Sequence, residues 1–346
     1  MDWARQNYSD LREADKEAWA GFVSAQARYH SAFYAPAFFS VLACVEPSLT
    51  IAVGREAGKP QAFVPFEFAT PTRAALRVAS RPGLGLADHV GPILAPGMAL
   101  SARQILQACD ARGFAFDHLD EAHWSEELQP EEREVGLYVS LADGREAFEA
   151  RLQSEKKKVL NDLRRRRTRL EEAHGPLKFV WQEPDRDGAL DRLLARKRAQ
   201  YARTGAQDVF ANPKAESLVR TLAKTEDRLC TPVLSGLYAG ETWIAGHFGL
   251  RCLGSLHYWF PVYCLDHRKH APGQLLFLEI ARAAFEHDVV RIDRGAGDTP
   301  AKRDFLPEEQ VFGRGLLTRR GPGGLAARAL QSLEWRMASL KARRTR

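Results

Sequence analysis

A run of cationic and turn-forming residues at 267–273 carries the clearest chemical signal in this sequence. The run reads HRKHAPG, and a long apolar segment follows it directly. A helix that begins there presents unpaired backbone N–H groups and about half a unit of positive charge, so it favours an anion. Glycine allows close backbone approach, and the basic side chains add donors. We therefore predict a pyrophosphate site formed by Arg268, Lys269, His270, Gly273, Gln274 and Leu275.

The segments around this loop predict how it is held. SLHYWFPVYC at 255–264 is typical of a strand, QLLFLEIARAAFEHD at 274–288 of a helix, and VVRID at 289–293 of a second strand. A strand, loop, helix and strand of these lengths form the crossover that parallel pairing requires. The chain contains neither G-x-x-x-x-G-K-[ST] nor G-x-G-x-x-G after a strand. The remaining common use of such a turn is to hold the pyrophosphate of coenzyme A.

Three ionisable residues on these two strands are candidates for acid–base chemistry: His257, Tyr258 and Asp293. Ionisable groups within a parallel strand are costly unless they line a cleft or pair with each other. Asp293 is therefore either an acceptor-binding or catalytic group or the partner of Arg291 or Arg294. His257 is either a site residue or a satisfied strand histidine, and Tyr258 either protonates a leaving thiolate or belongs to the core.

Two glycine-rich loops supply candidate acceptor-binding residues. GAGD at 295–298 follows the second strand, at the edge where open α/β sheets bind ligands, and Lys302 lies shortly after it. GLGLADHVG at 83–91 contains an acidic residue that either reaches an acceptor or makes an Asx-turn. The predicted substrate-binding residues are Asp88, His89, Asp298 and Lys302.

The middle of the chain is strongly basic. No proline or glycine lies between Gly144 and Gly175, and the segment contains KKK at 156–158 and RRRR at 164–167. This pattern predicts one long helix, with charges that surround it because successive residues are about 100° apart. It is either a solvated connection or a contact surface.

The sequence on one side of this helix is similar to that on the other. Residues 50–66 and 233–249 each read as two short β-rich runs joined by Ala-Gly, and AFYAP or VFANP precedes them. This correspondence predicts two copies of one α/β unit.

Composition is consistent with two domains, since 346 residues with 45% hydrophobic content exceed a single ordinary core. No apolar run approaches the roughly 18 residues of a membrane helix, and the start lacks a basic region followed by an apolar core. We expect a soluble, cytoplasmic protein. The five cysteines form no C-x-x-C pair, so we expect reduced core thiols, no disulfide framework and no metal site. The net charge of +6 favours anionic ligands where it is clustered.

These features resemble the GNAT superfamily of N-acetyltransferases, and within it the CelD/BcsL-type enzymes of cellulose and exopolysaccharide biosynthesis, which have a double, Fem-like fold. The superfamily loop is [QR]-x-x-G-x-[GA]; Arg268 and Gly273 match its ends, and Ala271 departs from it. SAFYAPAFF, LADHVGPIL, KRAQYARTGAQDVF and RIDRGAGDTPAKRDF resemble family segments in the expected order, over about 30–315. Lys302 and Phe305 resemble Tyr-Lys-x-x-Phe, with Ala301 where the tyrosine usually stands.

The resemblance implies an α/β fold of mixed sheets, with two tandem GNAT-like domains joined by a long basic helix. The predicted segments are an acceptor-side domain at 1–143, the basic helix at 144–174, a domain with the acyl-CoA loop at 175–322, and a basic helix or tail at 323–346. It also implies acetyl-CoA as co-substrate and oxyanion-stabilising N–H groups on the strand Leu256 to Val262, which Pro261 interrupts. The first copy lacks the loop and is expected to bind the acceptor.

The predicted activity is acetyl transfer to an amino sugar, or to its nucleotide- or lipid-linked precursor, with peripheral association with a polysaccharide synthesis complex. One alternative is a Fem-like transferase that takes its acyl group from aminoacyl-tRNA. Another is a non-catalytic adaptor for a nucleic acid or a membrane surface, built on a degenerate acyltransferase scaffold. No aromatic residues interleave the basic runs, so no stacking platform for single strands is predicted, and no DNA partner is expected.

Overall fold

The computed structural model describes residues 1–125 and 128–344, and the side chains of these except 338–344. The strands are β1 (Asp2–Gln6), β2 (Thr50–Glu56), β3 (Lys59–Phe66), β4 (Val78–Ser80), β5 (Ile93–Leu94), β6 (Gly113–Asp120), β7 (Glu132–Ser140), β8 (Leu177–Val180), β9 (Thr231–Ala239), β10 (Thr242–Cys252), β11 (Ser255–Tyr263), β12 (Arg291–Ala296) and β13 (Pro307–Thr318). The α-helices are α1 (Glu13–Ala25), α2 (Pro36–Val45), α3 (Pro71–Leu76), α4 (Ala102–Ala108), α5 (Arg145–Glu155), α6 (Lys157–His174), α7 (Arg186–Thr204), α8 (Pro213–Leu222), α9 (Pro272–Ala283), α10 (Pro300–Arg303) and α11 (Pro322–Arg344).

The chain divides into two compact units. The first consists of Met1–Glu134, Val209–Val219 and Val311–Arg346, and the second of Val135–Asp208 and Arg220–Gln310. These bounds differ from the predicted segments, because strand pairing joins stretches that are distant in sequence. The end of the chain returns to the first unit, where β13 pairs with β6. The predicted connecting segment 144–174 lies within the second unit. The predicted tail 323–346 is largely α11, and its last two residues lie outside the described part.

The first unit contains an antiparallel sheet of order β1-β2-β3-β5, and a separate set in which β4 pairs parallel and β13 antiparallel with β6. The hairpin predicted at 50–66 is confirmed: β2 and β3 are joined at Ala57 and Gly58, with φ of 48° and 78°. Two consecutive positive φ values give the turn the twist that matches its strands. Ala52, Ala62 and Phe66 from this sheet are buried in one core with Phe114 of β6.

The second unit contains strands in the order β7-β12-β11-β10-β9-β8. Among these described pairs, only β11 and β12 run parallel, so the sheet is mixed. The hairpin predicted at 233–249 is confirmed as β9 and β10, with Gly240 at φ 55°. The predicted crossover is also confirmed, because α9 connects the parallel strands β11 and β12.

The prediction of one unbroken helix at 144–174 is wrong. The segment forms α5 and α6, and between them Lys156 leaves the helical region with φ −123° and ψ 23°. The Lys156 ammonium donates to the carbonyl of Arg303 at 2.8 Å. The absence of proline and glycine favours helix only as a local preference, which a tertiary contact overrides.

The basic helix is part of the second unit's core and is not a solvated connection. Leu160, Leu163 and Leu170 of α6 are buried in the same cluster as Leu276 and Ile280 of α9. Their spacing of three and seven residues places them on one side of α6, which packs on α9.

The described cysteines are all free thiols, and four of the five are buried. Cys109, Cys230, Cys252 and Cys264 are buried free thiols, as expected, but Cys44 is exposed and is not a core residue. None of the described helices is long and apolar enough to span a membrane.

Candidate active site

The site begins where β11 and β12 stop pairing. Their parallel ladder covers Ser255–His257 and Arg291–Asp293, and β11 then continues to Tyr263. Within the described residues, the last six positions of β11 therefore form no ladder pair with β12. Pro261 lies in this stretch, opposite His247 of β10. The second unit thus has backbone that separates from its parallel neighbour, as the resemblance implies for the binding of a pantetheine arm.

The predicted pyrophosphate loop is a tight turn in front of α9. Residues Leu265–His270 form a 3₁₀ helix, and Ala271 then adopts the left-handed region with φ 53° and ψ 49°. Pro272 occupies the first position of α9, where a missing N–H is tolerated. Ala271 stands where the superfamily loop has glycine, and it adopts the backbone conformation for which glycine is normally selected. Ala271 is thus a non-glycine residue in a conformation that glycine adopts without strain.

The six predicted cofactor residues fall into two groups. Arg268 and Lys269 are exposed and Gly273 is partly exposed, so these three remain available at the turn. His270 and Leu275 are buried, and the side-chain amide of Gln274 donates to Asp304 at 2.5 Å. The backbone amides of Gln274 and Leu275 donate to the carbonyl of Ala271. The inward-facing residues support the turn, and the outward-facing ones carry its charge.

Strain at Ala271 gives a first testable prediction. Replacing Ala271 with glycine should raise the free energy of unfolding by about 0.5–1 kcal/mol, because a left-handed alanine is strained and glycine is not. The matched control is Ala283→Gly at the other end of α9, where loss of a helical alanine should cost about 1 kcal/mol. Urea unfolding measures both. Equal destabilisation by the two variants would contradict the strain at the turn.

Asp293 is a buried carboxylate held by two hydrogen bonds. Its Oδ1 accepts from the backbone N–H of Gly295 at 2.7 Å, and its Oδ2 accepts from the side-chain amide of Gln310 at 2.9 Å. Arg291 lies 3.9 Å from Oδ2 and donates to the Gln310 carbonyl oxygen at 2.5 Å. The Arg291 guanidinium also lies over the ring of Tyr138, 3.5 Å from its centre. Both oxygens of Asp293 therefore accept hydrogen bonds, and the Arg291 guanidinium is shared with Gln310 and Tyr138.

His257 faces Asp293 across the last parallel pair. The two residues are register partners, and Nδ1 of His257 lies 3.6 Å from Oδ1 of Asp293. Both side chains are almost completely buried. The alternative of a pair between Asp293 and Arg294 is not realised in these contacts. The structure brings together two of the three predicted catalytic residues at the point where the strands separate.

Tyr258 lies in the interior. Its ring stacks on His247 with 4.4 Å between centroids, and it meets Phe277 of α9 edge-on at 5.1 Å. Burial raises the pKa of the Tyr258 phenol far above its usual value, and burial lowers the pKa of His247 to about 3. Such a phenol holds its proton firmly and packs as a core residue, which favours the structural alternative for Tyr258.

Lys302 and Asp298 have structural partners in the loop after β12. The Lys302 ammonium donates to the carbonyls of Gly295, Ala296 and Gly297 at 3.2, 2.7 and 2.9 Å. Asp298 is exposed and bonded by both oxygens to Arg303. This ion pair holds the pKa of the Asp298 carboxyl below its usual value. Both residues shape the loop, and their predicted contact with an acceptor stays a prediction.

The first unit contains its own buried polar cluster. Nδ1 of His89 lies 2.7 Å from Oδ2 of Asp120, which also accepts from the Tyr34 hydroxyl at 3.2 Å. Burial and the neighbouring carboxylate raise the pKa of Tyr34 well above its usual value, and burial lowers the pKa of His123 to about 4. Asp88 lies 3.9 Å from the imidazole of His118. The predicted pair Asp88 and His89 therefore has separate partners.

Two site residues were missed in the sequence. Gln310 lies far from the strand motifs, and a glutamine in a β-rich run gives no signal of its bond to Asp293. Lys197 of α7 is partly buried, and its ammonium lies 3.4 Å from the carbonyl of Pro261 in the separated part of β11. Burial lowers the pKa of Lys197 to about 8. In the sequence it is one lysine in a basic amphipathic run.

Comparison with known proteins agrees with this geometry. Residues 157–303 match the sequence model of a family described as an acetyltransferase (GNAT) domain. The match includes α6, the turn before α9, and the strands β11 and β12. No curated protein matches the chain significantly in sequence.

Solved structures show similarity over nearly the whole chain. The C-terminal domain of a putative lysylphosphatidylglycerol synthetase from Agrobacterium fabrum has a TM-score of 0.56 at 17% identity, covering 92% of this chain and 95% of that one. A conserved protein of unknown function from Bacteroides thetaiotaomicron has a TM-score of 0.56 at 14% identity, with coverages of 88% and 98%. FemX has a TM-score of 0.52 at 11% identity, with coverages of 90% and 96%. The predicted mixed α/β fold class is confirmed, and these solved structures share the fold over nearly the whole chain.

Proposed function

We propose that this protein is an N-acyltransferase that takes an acetyl group from acetyl-CoA. The observation that carries the proposal is the arrangement of β11, the left-handed turn at Ala271 and α9, beside strands that separate after three parallel pairs. The turn offers a helix N-terminus with Arg268 and Lys269 exposed for a pyrophosphate. The match of 157–303 to an acetyltransferase domain supports the same assignment.

The reaction requires a proton acceptor, an oxyanion site and a proton donor. The acceptor amine attacks the thioester carbonyl, a C–N bond forms, the C–S bond breaks, and the departing thiolate receives a proton. In this proposal His257 takes the proton of the amine, and Asp293 orients His257 and stabilises its charged form. Backbone N–H groups of β11 face the developing oxyanion. Lys197, whose pKa of about 8 suits proton transfer near neutrality, is the proton donor.

The acceptor class follows from the resemblance to CelD/BcsL-type enzymes. We assign it as an amino sugar, or its nucleotide- or lipid-linked precursor, used in exopolysaccharide synthesis. Asp88, His89, Asp298 and Lys302 remain the proposed acceptor-contacting residues. The expected setting is cytoplasmic, with peripheral association with a polysaccharide synthesis complex.

Calorimetric titration with acetyl-CoA tests the donor. We expect a dissociation constant of about 1–100 μM for the wild type, a range common for enzyme substrates. Gly273→Trp should weaken binding at least about 30-fold, because its indole would occupy the turn that receives the pyrophosphate.

Gly273→Ala is the matched control. A Cβ at Gly273 would meet only Tyr263, at 3.4 Å, so this variant should fold and bind within about threefold of the wild type. If the wild type and Gly273→Trp bound acetyl-CoA with equal affinity, the coenzyme would bind at a site other than this turn. No binding by the wild type at millimolar acetyl-CoA would contradict the proposed donor.

The alternative donor is aminoacyl-tRNA, which the structural likeness to FemX supports at the level of fold. Ionic strength separates the two donors. Binding of RNA through many Lys and Arg residues weakens steeply with salt, whereas coenzyme A binding changes little. A tRNA-binding protein without affinity for acetyl-CoA would establish the Fem-like alternative.

A further inference from the structure

One face of α6 carries exposed positive charge that the second unit does not neutralise. Lys157, Lys158, Asn161, Arg164 and Arg165 line a single shallow surface. Their positions span an arc of about 120° around the helix, since successive residues are about 100° apart. We refer to these five residues as the basic face. The other basic residues of α6, Arg166, Arg167 and Arg169, lie outside this arc.

Several other charges of α6, and Arg165 of the basic face, have partners within the second unit. Asp162 bonds to Arg166 at 2.5 Å and lies 3.5 Å from Arg165, and Arg167 pairs with Glu171 and with Glu279 of α9. Over the described part of the chain, Lys157, Lys158 and Arg164 have no side-chain hydrogen bond or ion pair. Three of the four cations of the basic face thus have no ion pair among the described residues, and a cluster of this kind favours an anionic partner outside this chain.

The basic face is continuous with the proposed donor loop. Arg166 of α6 donates to the backbone carbonyl of Lys269, which lies in the turn before α9. The exposed side chains of Arg268 and Lys269 extend the positive surface toward that turn. If the phosphopantetheine arm of a donor enters this loop, the molecule to which the arm is attached would contact α6.

We propose that the basic face docks an acidic carrier protein, which presents its acyl thioester on 4′-phosphopantetheine. This inference rests on the proposed function, because it concerns the donor of the same site. Coenzyme A and a carrier protein share the phosphopantetheine arm, and a carrier adds a surface of Asp and Glu carboxylates. Complementary charge of this kind steers association and fixes orientation.

The size and composition of the face favour a protein over other anionic partners. From 157 to 165 the helix advances about 12 Å, which suits one helix of a small protein and is short for a nucleic-acid backbone. The face contains no aromatic residue on which bases could stack. It also contains no apolar side chain that could insert into a membrane.

Binding of two donors to the full chain tests the proposal. The probes are acetyl-CoA and an acidic acyl carrier protein loaded with acetyl-phosphopantetheine. The test variant is Lys157→Glu/Arg164→Glu. The control is Lys178→Glu/Arg186→Glu, which makes the same charge change at two exposed residues outside α6. Circular dichroism and thermal unfolding establish that both variants are folded.

We expect the test variant to lose at least about tenfold in affinity for the acyl carrier protein, and the control less than about threefold. Both variants should bind acetyl-CoA within about threefold of the wild type. Higher salt should weaken only the binding of the carrier protein.

Three results would overturn the inference. The first is that the wild type does not bind the carrier protein. The second is that the test and control variants lose equal affinity for it. The third is that the test variant keeps its affinity for the carrier protein and loses affinity only for tRNA or for anionic vesicles. Retained acetyl-CoA binding in any of these cases would leave the proposed function intact. Loss of acetyl-CoA binding by the wild type would count against the proposed function itself.

Discussion

Asp293→Asn is expected to reduce kcat by about 10²–10⁴-fold while the protein remains folded. Asparagine can still accept the Gly295 N–H, and a flipped Gln310 amide can accept from its NH₂ group, at the loss of the hydrogen bond from Arg291 to Gln310. The cost in free energy of unfolding should therefore be about 1–2 kcal/mol. The large kinetic loss follows because the charge that stabilises protonated His257 has gone. Release of coenzyme A thiol, with an amino sugar that the wild type acetylates, measures the rate.

The pH dependence separates this role from a structural one. Protonated His257 is less stable beside a neutral amide, so the acidic limb of the kcat/KM profile should move to lower pH in Asp293→Asn. Gln310→Met is the matched control, because it removes one hydrogen-bond donor to Asp293 and keeps the carboxylate. The control should lose similar stability, keep its acidic limb and retain at least about a tenth of the rate. Equal rate losses in both variants would assign Asp293 to structure alone.

The sequence predicted the strands and turns well because their signals are local. Ala-Gly between two β-rich runs requires a turn with positive φ, and both hairpins formed as expected. Pro272 marks the start of α9 through another local preference, because proline is favoured at the first position of a helix. The break at Lys156 was missed, and Lys156 bonds there to the Arg303 carbonyl, which lies 147 positions away in sequence. Local propensity contains no information about such a contact.

The sequence predicted which residues lie at the candidate site better than it predicted the role of each. His257 and Asp293 were identified as ionisable residues on two predicted strands, and the register of the parallel pair places them opposite each other. Tyr258 and Lys302 were chosen for their chemistry, but burial and three carbonyl contacts respectively give them structural partners. Whether a cationic side chain bonds within the protein or is available to a ligand depends on neighbours from other segments of the chain. The spacing of residues in the sequence does not determine which neighbours these are.

Lys197 is the site residue for which stability and activity should change in opposite directions. Its ammonium is partly buried against a backbone carbonyl and the Tyr201 ring, 5.4 Å from the ring centre. Among the described residues, no carboxylate forms an ion pair with it. Burial without a counter-charge lowers its pKa to about 8, from 10.5 for a solvated lysine. The folded state therefore binds this proton less tightly than the unfolded chain does, which destabilises the fold at neutral pH.

Lys197→Met should raise the free energy of unfolding by about 1–3 kcal/mol at pH 7. The penalty that it removes is fully present below about pH 8 and fades as the pH approaches 10.5. Denaturant unfolding at pH 7 and pH 9.5 should therefore show a smaller gain at the higher pH.

The same substitution should lower kcat by about 10–100-fold, because the thiolate loses its proton donor. Lys197→Arg should not restore the rate, since a guanidinium does not release its proton near neutral pH. Lys197 lies beside the separated part of β11 although it destabilises the fold. A functional requirement for its ammonium group would explain this. A variant that gained stability and kept full activity, with an unchanged basic limb in its pH profile, would remove Lys197 from the mechanism and leave the donor of the proton to solvent.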